Sequence, residues 1–443
     1  MKRILTKTTC LLATCIILSV AKAAGQTPDK VGSNDELWEL FESIHDTPDS
    51  QEKWEAYTSI YDKLRETQSD DWELHVKVAG NMAIMLLSSQ DTVNARNLMN
   101  ECQAALEEPK KAGDDEALLL SAQMHINAAN TYNSQQPERI SEWEQGLAEC
   151  EAYDKKADRK SERYQEWLAD KPFIMYGTYA ALCTDYVNRE YYDKAIACAE
   201  PISKYWAEID EEARNMYRYI FCMSGVSLCK AAARLKDLSA FRENAKTFET
   251  FLADVALQMK DGKLQVDAQT QNTLGFVALM QSDNYSLMGE YDRCEEMATL
   301  GVMIDDSLRS IANYMLCKAL LRDNRDDDAE KLHNEVLKDQ TFVDKYLQEG
   351  DEVAEMLNFR HKKAMQPGRR VDEGERAKQA ERLTVMSSIM QKQASSGGGR
   401  ITLQGYRATM TMPTVGRDGR VILPIDKRQL PGVGINIRIG GKR

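Results

Sequence analysis

The amino-acid sequence predicts an all-α fold, an α-helical solenoid of antiparallel helix hairpins, followed by a short C-terminal tail that contains β-strands. Three observations carry this reading. Apolar residues recur at helical spacing through most of residues 24–359, where breaks are short. A small residue returns at the start of second helices, at Ala95, Ala195, Cys294 and Ala329, and the last interval is 35 residues. From about Arg360 the charge turns basic, and further on the apolar period falls to two.

In chain order, residues 1–23 read as a secretion signal. Lys2, Arg3 and Lys7 precede the apolar run Leu11 to Val20, and Ala21-Lys22-Ala23 is a small-x-small cleavage site. The run is about ten residues, against the ~20 that a membrane span needs, so no integral membrane span is expected. Cys15 follows Leu12-Ala13-Thr14, a poor context for lipid attachment. Ser33-Asn34-Asp35-Glu36 forms a capping box before the stripe Leu37, Leu40, Phe41 and Ile44. Asp49 opens a second helix carrying Trp54, Tyr57, Ile60, Tyr61 and Leu64. Helix pairs are then expected over 70–90 with 92–108, 115–132 with 137–158, and 161–188 with 191–206. Longer helices follow over 210–235, 238–259 and 266–288, with Gly262 marking a turn.

Within this body, Tyr179, Leu182, Cys183 and Tyr186 share one helical face, and Tyr192, Ala195 and Ala199 begin the next. Tyr285-x3-Gly289-x-Tyr291-x2-Cys294-x3-Ala298 repeats the arrangement. The order of aromatic, Leu, small and aromatic, then aromatic, Ala and small, resembles a tetratricopeptide hairpin. Cys183 stands where that repeat has Gly or Ala, Ala207 where it has Pro, and Asp326 where it has an aromatic. The resemblance covers about residues 70–340 and implies a superhelix whose concave surface, lined by first helices, holds a protein or peptide. Members that bind peptide C-termini use Lys and Asn there to hold a carboxylate. Aligned on Ala83, Lys77 and Asn81 fall at such positions; aligned on Ala129, Asn127 and Asn130 do; aligned on Cys317, Lys318 does. Around Cys183 the corresponding residues are Gly177, Ala180, Ala181 and Thr184, so the match is partial.

Charge is unevenly placed. The chain is −13 overall; residues 1–23 contribute +4 and residues 360–443 contribute +12, from 18 Lys and Arg against 6 Asp and Glu, which leaves −29 on residues 24–359. So acidic a body repels nucleic acid and anionic lipid surfaces. Past the signal there are eight cysteines, scattered and without a CxxC pair, several at small-residue packing positions. They read mostly as buried thiols. Cys222 and Cys229, two helical turns apart, would lie about 10 Å apart, too far to bridge.

The tail divides into a basic amphipathic helix within 360–394 (Leu383, Met386, Ile389 and Met390) and a Gly-rich linker with basic strands over 395–443. Strands are expected at Ile401 to Leu403, Ala408 to Met412, Arg420 to Ile425 and Gly434 to Ile439. A stretch this short with few apolar positions cannot bury a core alone. It folds against the acidic body, donates a strand to a partner, or stays unfolded.

Catalytic patterns are missing from the sequence. The five His (His45, His75, His125, His333, His361) have no metal spacing, and HExxH, GxSxG and phosphate-loop motifs are absent. The expectation is therefore a non-catalytic secreted scaffold, periplasmic or envelope-associated, with no cofactor and no metal. The alternative is a glycan-binding protein of outer-membrane nutrient uptake, a class that also carries such repeats and would show clustered exposed Trp or Tyr.

Overall fold

The structure, a computed structural model, describes residues 34–364 apart from 46, 135, 212, 213, 215–217 and 349, together with four short strands beyond them. Across 34–364 every regular element described is helical. The helices fall into successive pairs: α1 (Asn34–His45) with α2 (Gln51–Glu66), α3 (Trp72–Ser88) with α4 (Thr92–Ala112), and α5 (Asp115–Ala129) with α6 (Pro137–Lys156). The long α7 (Glu162–Asn188) pairs with α8 (Tyr192–Ala197) and α9 (Ala199–Glu208), α10 (Arg218–Leu235) with α11 (Leu238–Lys260), and α12 (Ala268–Met288) with α13 (Tyr291–Ile304). After a 3₁₀ turn at Asp306–Leu308 come α14 (Arg309–Arg322) with α15 (Asp326–Val336), then α16 (Gln340–Tyr346) and α17 (Glu352–Ala364).

Helix starts follow local chemistry. Asp91, Asp114, Asp237, Asp267 and Asp339 each accept a backbone N–H of the first turn, which satisfies donors that have no partner within the helix. The break between α8 and α9 at Cys198 lies three residues before Pro201, which has no N–H to donate to the Ala197 carbonyl and whose ring crowds it. The spacing predicts one helix over 191–206; proline chemistry divides it.

One turn recurs between the helices of a pair. Gln90, Glu190, Lys236, Gly289 and Asn324 all have positive φ, between 59° and 78°. At each, the next amide donates to the carbonyl five residues back: Asp91 to Leu86, Tyr191 to Tyr186, Asp237 to Ala232, Glu290 to Tyr285 and Arg325 to Leu320, at 2.9–3.0 Å. This is a Schellman-type C-cap, which reverses the chain in two or three residues. Five residues after the positive-φ position stand Ala95, Ala195, Phe241, Cys294 and Ala329, all 0% or 1% exposed. Four of them are the small residues expected from the sequence. The fifth, Phe241, explains why the spacing there reads as stretched: the turn is retained, but an aromatic that meets Tyr285 edge-on at 5.2 Å stands where the marker was expected.

Helices of a pair approach closely. A Cβ on Gly301 of α13 would lie 2.8 Å from the Gly275 carbonyl oxygen of α12, and one on Gly275 would lie 2.9 Å from that of Gly301. First helices also touch the first helix of the following pair, α3 with α5, α7 with α10, α10 with α12, and α12 with α14. Apolar side chains such as Tyr57, Leu74, Trp143, Tyr176, Phe248 and Tyr314 fill the space between layers at 0–1% exposure. All eight cysteines from Cys102 onward are free and buried. Burial pushes their thiols up, to about 12 for Cys198 and Cys317, which makes them packing residues and poor nucleophiles.

No described helix is long and apolar enough to cross a membrane. Beyond Ala364, Tyr406–Ala408 pairs parallel with Val433–Ile435, and Thr414–Val415 antiparallel with Val421–Ile422. The signal over 1–23, the basic helix over 373–392 and the linker at 395–399 lie outside the described residues.

Candidate functional site

Four of the residues singled out from the sequence lie on first helices, Asn130 caps the end of α5, and the structure places all five in the interior. Lys77 is fully buried, Asn81 5%, Asn127 0%, Asn130 7% and Lys318 3% exposed. Lys77 Nζ donates to Glu73 Oε1 at 2.7 Å, one turn back on α3, lies 3.8 Å from Glu116 Oε1 of α5, and sits 5.3 Å from the Trp38 ring centroid. The Asn81 amide donates to the Lys77 carbonyl at 2.7 Å and that of Asn130 to the Ile126 carbonyl at 3.4 Å. Lys318 Nζ is 3.0 Å from Glu352 Oε2 and 5.1 Å from the Tyr314 centroid. Lys77 and Lys318 are thus matched to carboxylates of this chain.

What the structure assembles around Lys77 is a four-membered ionic knot. Arg163, in the first turn of α7, donates to Glu73 Oε1 at 2.6 Å and to Glu116 Oε1, so one guanidinium joins α3, α5 and α7. Burial pushes the Glu73 carboxyl up, but the hydrogen bonds and charges of Lys77 and Arg163 pull harder and leave it below the usual carboxylate range. At Glu116 burial wins, and the carboxyl stands above that range despite Arg163 and Lys77. Two cations face two carboxylates, which fixes the stacking of three first helices.

Similar knots recur along the array. Asp185 of α7 accepts from Arg139 Nε at 2.5 Å and Trp143 Nε1 at 2.9 Å, while Arg139 Nη1 donates to the Tyr132 carbonyl at 3.0 Å. Glu249 of α11 accepts from Gln281 Nε2 and Arg293 Nη2, both at 2.7 Å. Asp351, ahead of α17, accepts from the Ala354 amide at 3.0 Å and the Tyr314 hydroxyl at 3.3 Å, and meets His333 Nε2 at 2.7 Å. The Glu73 to Lys77 pair was visible as an i,i+4 spacing. Arg163, 90 residues from Glu73, gives no such signal.

No group of three or more His, Cys, Asp or Glu suited to a metal ion occurs among the described residues. Two open clefts do. One of about 500 Å³ lies between α1 and α2, lined by Leu37, Leu40, Trp54, Glu55, Asp62 and Glu66 among others. The other, of about 390 Å³, lies between α11 and the start of α13, with Arg242, Lys246, Glu249, Tyr285 and Arg293. Compared with known proteins, the chain matches no family model and no curated protein.

Proposed function

We propose that the chain is a secreted, non-catalytic scaffold of tetratricopeptide-like hairpins, a helical solenoid that holds a protein or peptide segment along the face formed by its first helices. The observation that carries this reading is the recurrence of one Schellman turn with a buried residue five positions on, which gives successive hairpins a common geometry. Hairpins so repeated set their first helices side by side, and contacts between successive first helices are present at four places. A surface built that way is extended, rigid and suited to a chain segment rather than to a small molecule. The residues that would face the segment are the half-buried ones between the knots, because Lys77, Asn81, Asn127, Asn130 and Lys318 are taken up in packing. The division into a signal over 1–23, a repeat domain over 24–359, a basic helix over 360–394 and a basic strand tail over 395–443 belongs to the same proposal, as does periplasmic or envelope location.

The glycan-binding alternative calls for exposed aromatic rings gathered on one face. Trp38, Trp143 and Trp167 are buried, at 4%, 0% and 3% exposure, and Trp54, Trp72 and Trp206 are half-buried. Affinity capture from envelope extract, with the chain from residue 24 on as bait, separates the two. A protein retained stoichiometrically by the full chain and by a form ending at residue 394 supports the scaffold. Retention on polysaccharide with no protein captured replaces it with the glycan-binding reading.

A further inference from the structure

First helices pack on the next first helix at four junctions, and α5 with α7 is not one of them. What lies against both of these helices is a strand of the chain itself, Val433–Ile435. It pairs in parallel with Tyr406–Ala408, Tyr406 opposite Val433 and Ala408 opposite Ile435, in a sheet of two strands. The side that α5 and α7 leave to such a strand follows from what their other sides meet. On α5, Leu120 and Met124 join the apolar core of α1–α4, Leu119 and Ile126 join that of the later helices, and His125 meets Gln103 of α4 and Glu142 of α6. Helical geometry then puts Gln123 and Asn127 on the remaining side. On α7, Asp185 meets Arg139 and Trp143 of α6, and Thr184 lies 3.3 Å from Ser227 of α10, which leaves Gly177 and Ala181 between those directions. Asn127, Gly177 and Ala181 are buried, and Gln123 Oε1 is enclosed without a hydrogen-bond donor among the described residues. Side chains as small as those of Gly177 and Ala181 let a backbone approach α7 closely, and an enclosed amide oxygen on α5 requires an N–H. An extended segment supplies both, a narrow backbone and a row of N–H groups along its unpaired edge.

We propose that Val433–Ile435 is an internal occupant of the first-helix face, seated at the junction of α5 and α7, and that an external segment gains this junction by displacing it. The occupant also defines what the junction accepts: an extended segment with β-branched aliphatic residues on either side of a glycine, as in Val433-Gly434-Ile435. A sheet of two short strands is marginal by itself, so the contact is weak enough to be exchanged. Tethering compensates, because a segment carried on the same chain competes at an effective concentration on the order of millimolar. The result is an autoinhibitory contact that lowers the affinity for a partner without abolishing it. The inference rests on the reading of the first-helix face as the surface that holds a segment, but its test uses no partner, so the two can fail separately.

The test uses the chain from residue 24 on and a fluorescent peptide of residues 430–439. The double variant Val433→Asp/Ile435→Asp, altered outside the helical body, vacates the junction, and the peptide is expected to bind it about tenfold more tightly than it binds the parent chain. Benzoylphenylalanine in place of Gln123 on α5 or Phe173 on α7, both half-buried, locates the contact, with a control probe at Val93, 64% exposed on α4. On irradiation, links are expected from positions 123 and 173 to a peptide that contains 433–435, and none from position 93. Equal affinity of the peptide for the two chains, or links from neither position to 433–435, would overturn the proposal. So would links that join isotopically labelled to unlabelled chains in a mixture, because the occupant would then be a second copy.

Discussion

At the scale of single residues, the fold rests on backbone conformations and ionic partners that can be altered one at a time. Gly289 is the only glycine among the five positive-φ turn residues, and a Cβ there would meet nothing within 4 Å, so Gly289→Ala changes backbone strain alone. It should cost about 1 kcal/mol in chemical denaturation, whereas Asn324→Gly, the reverse change at the equivalent turn, should cost nothing or stabilise. The ionic knot gives a paired prediction of opposite sense. Glu73 is held ionised by its partners, so Glu73→Gln should destabilise by about 1 kcal/mol or more at pH 7. Burial holds the Glu116 carboxyl above its ordinary range, so folding disfavours its charged form and Glu116→Gln should be neutral or stabilising under the same conditions. At Asp351 burial pushes the carboxyl up, but His333, the Ala354 amide and Tyr314 outweigh it and hold the carboxyl below its ordinary value. A carboxyl depressed in the folded state contributes stability above its unfolded pKa and loses it as pH falls through the folded one. The anchorage of α17 should therefore weaken below about pH 4, seen as loss of amide protection in α17 on acidification, and in Asp351→Asn the protection should be lower at neutral pH with little of that dependence.

At the scale of elements, legibility in the sequence followed how local the cause was. The pair over 70–90 and 92–108 and the first helices over 115–132 and 161–188 are readable because amphipathic spacing and helix caps are local signals, and Gly289 announces its turn by residue type. Of the other four turns, Asn324 is a residue type that tolerates positive φ, but Gln90, Glu190 and Lys236 carry no such signal, so the regularity of the turn emerges only from the dihedrals. Phe241 hides one such turn, since a large residue stands where the others have small ones. The candidate carboxylate-holding residues were legible as to place, on first helices, but their burial was not, because Glu116, Arg163 and Glu352 come from distant parts of the sequence. The close approach of α12 and α13 gives a prediction at this scale. Gly301→Ala puts a methyl 2.8 Å from the Gly275 carbonyl and must separate two backbones. Thermal unfolding should show a loss of about 1–3 kcal/mol, larger than for Gly289→Ala.

For the whole molecule, pairs that contact chiefly their neighbours make stability approximately a sum over units and interfaces. The knots of charge then set which first helices stay aligned, and a face built from several units can hold an extended partner only while that alignment persists. Hydrogen exchange of the chain from residue 24 on, alone and with a partner captured from envelope extract, tests this most directly. The account predicts added protection on α3, α5, α7, α10, α12 and α14, the first helices, with α4, α11 and α13 unchanged. Protection confined to second helices, or no partner that alters exchange anywhere in residues 34–364, would contradict it.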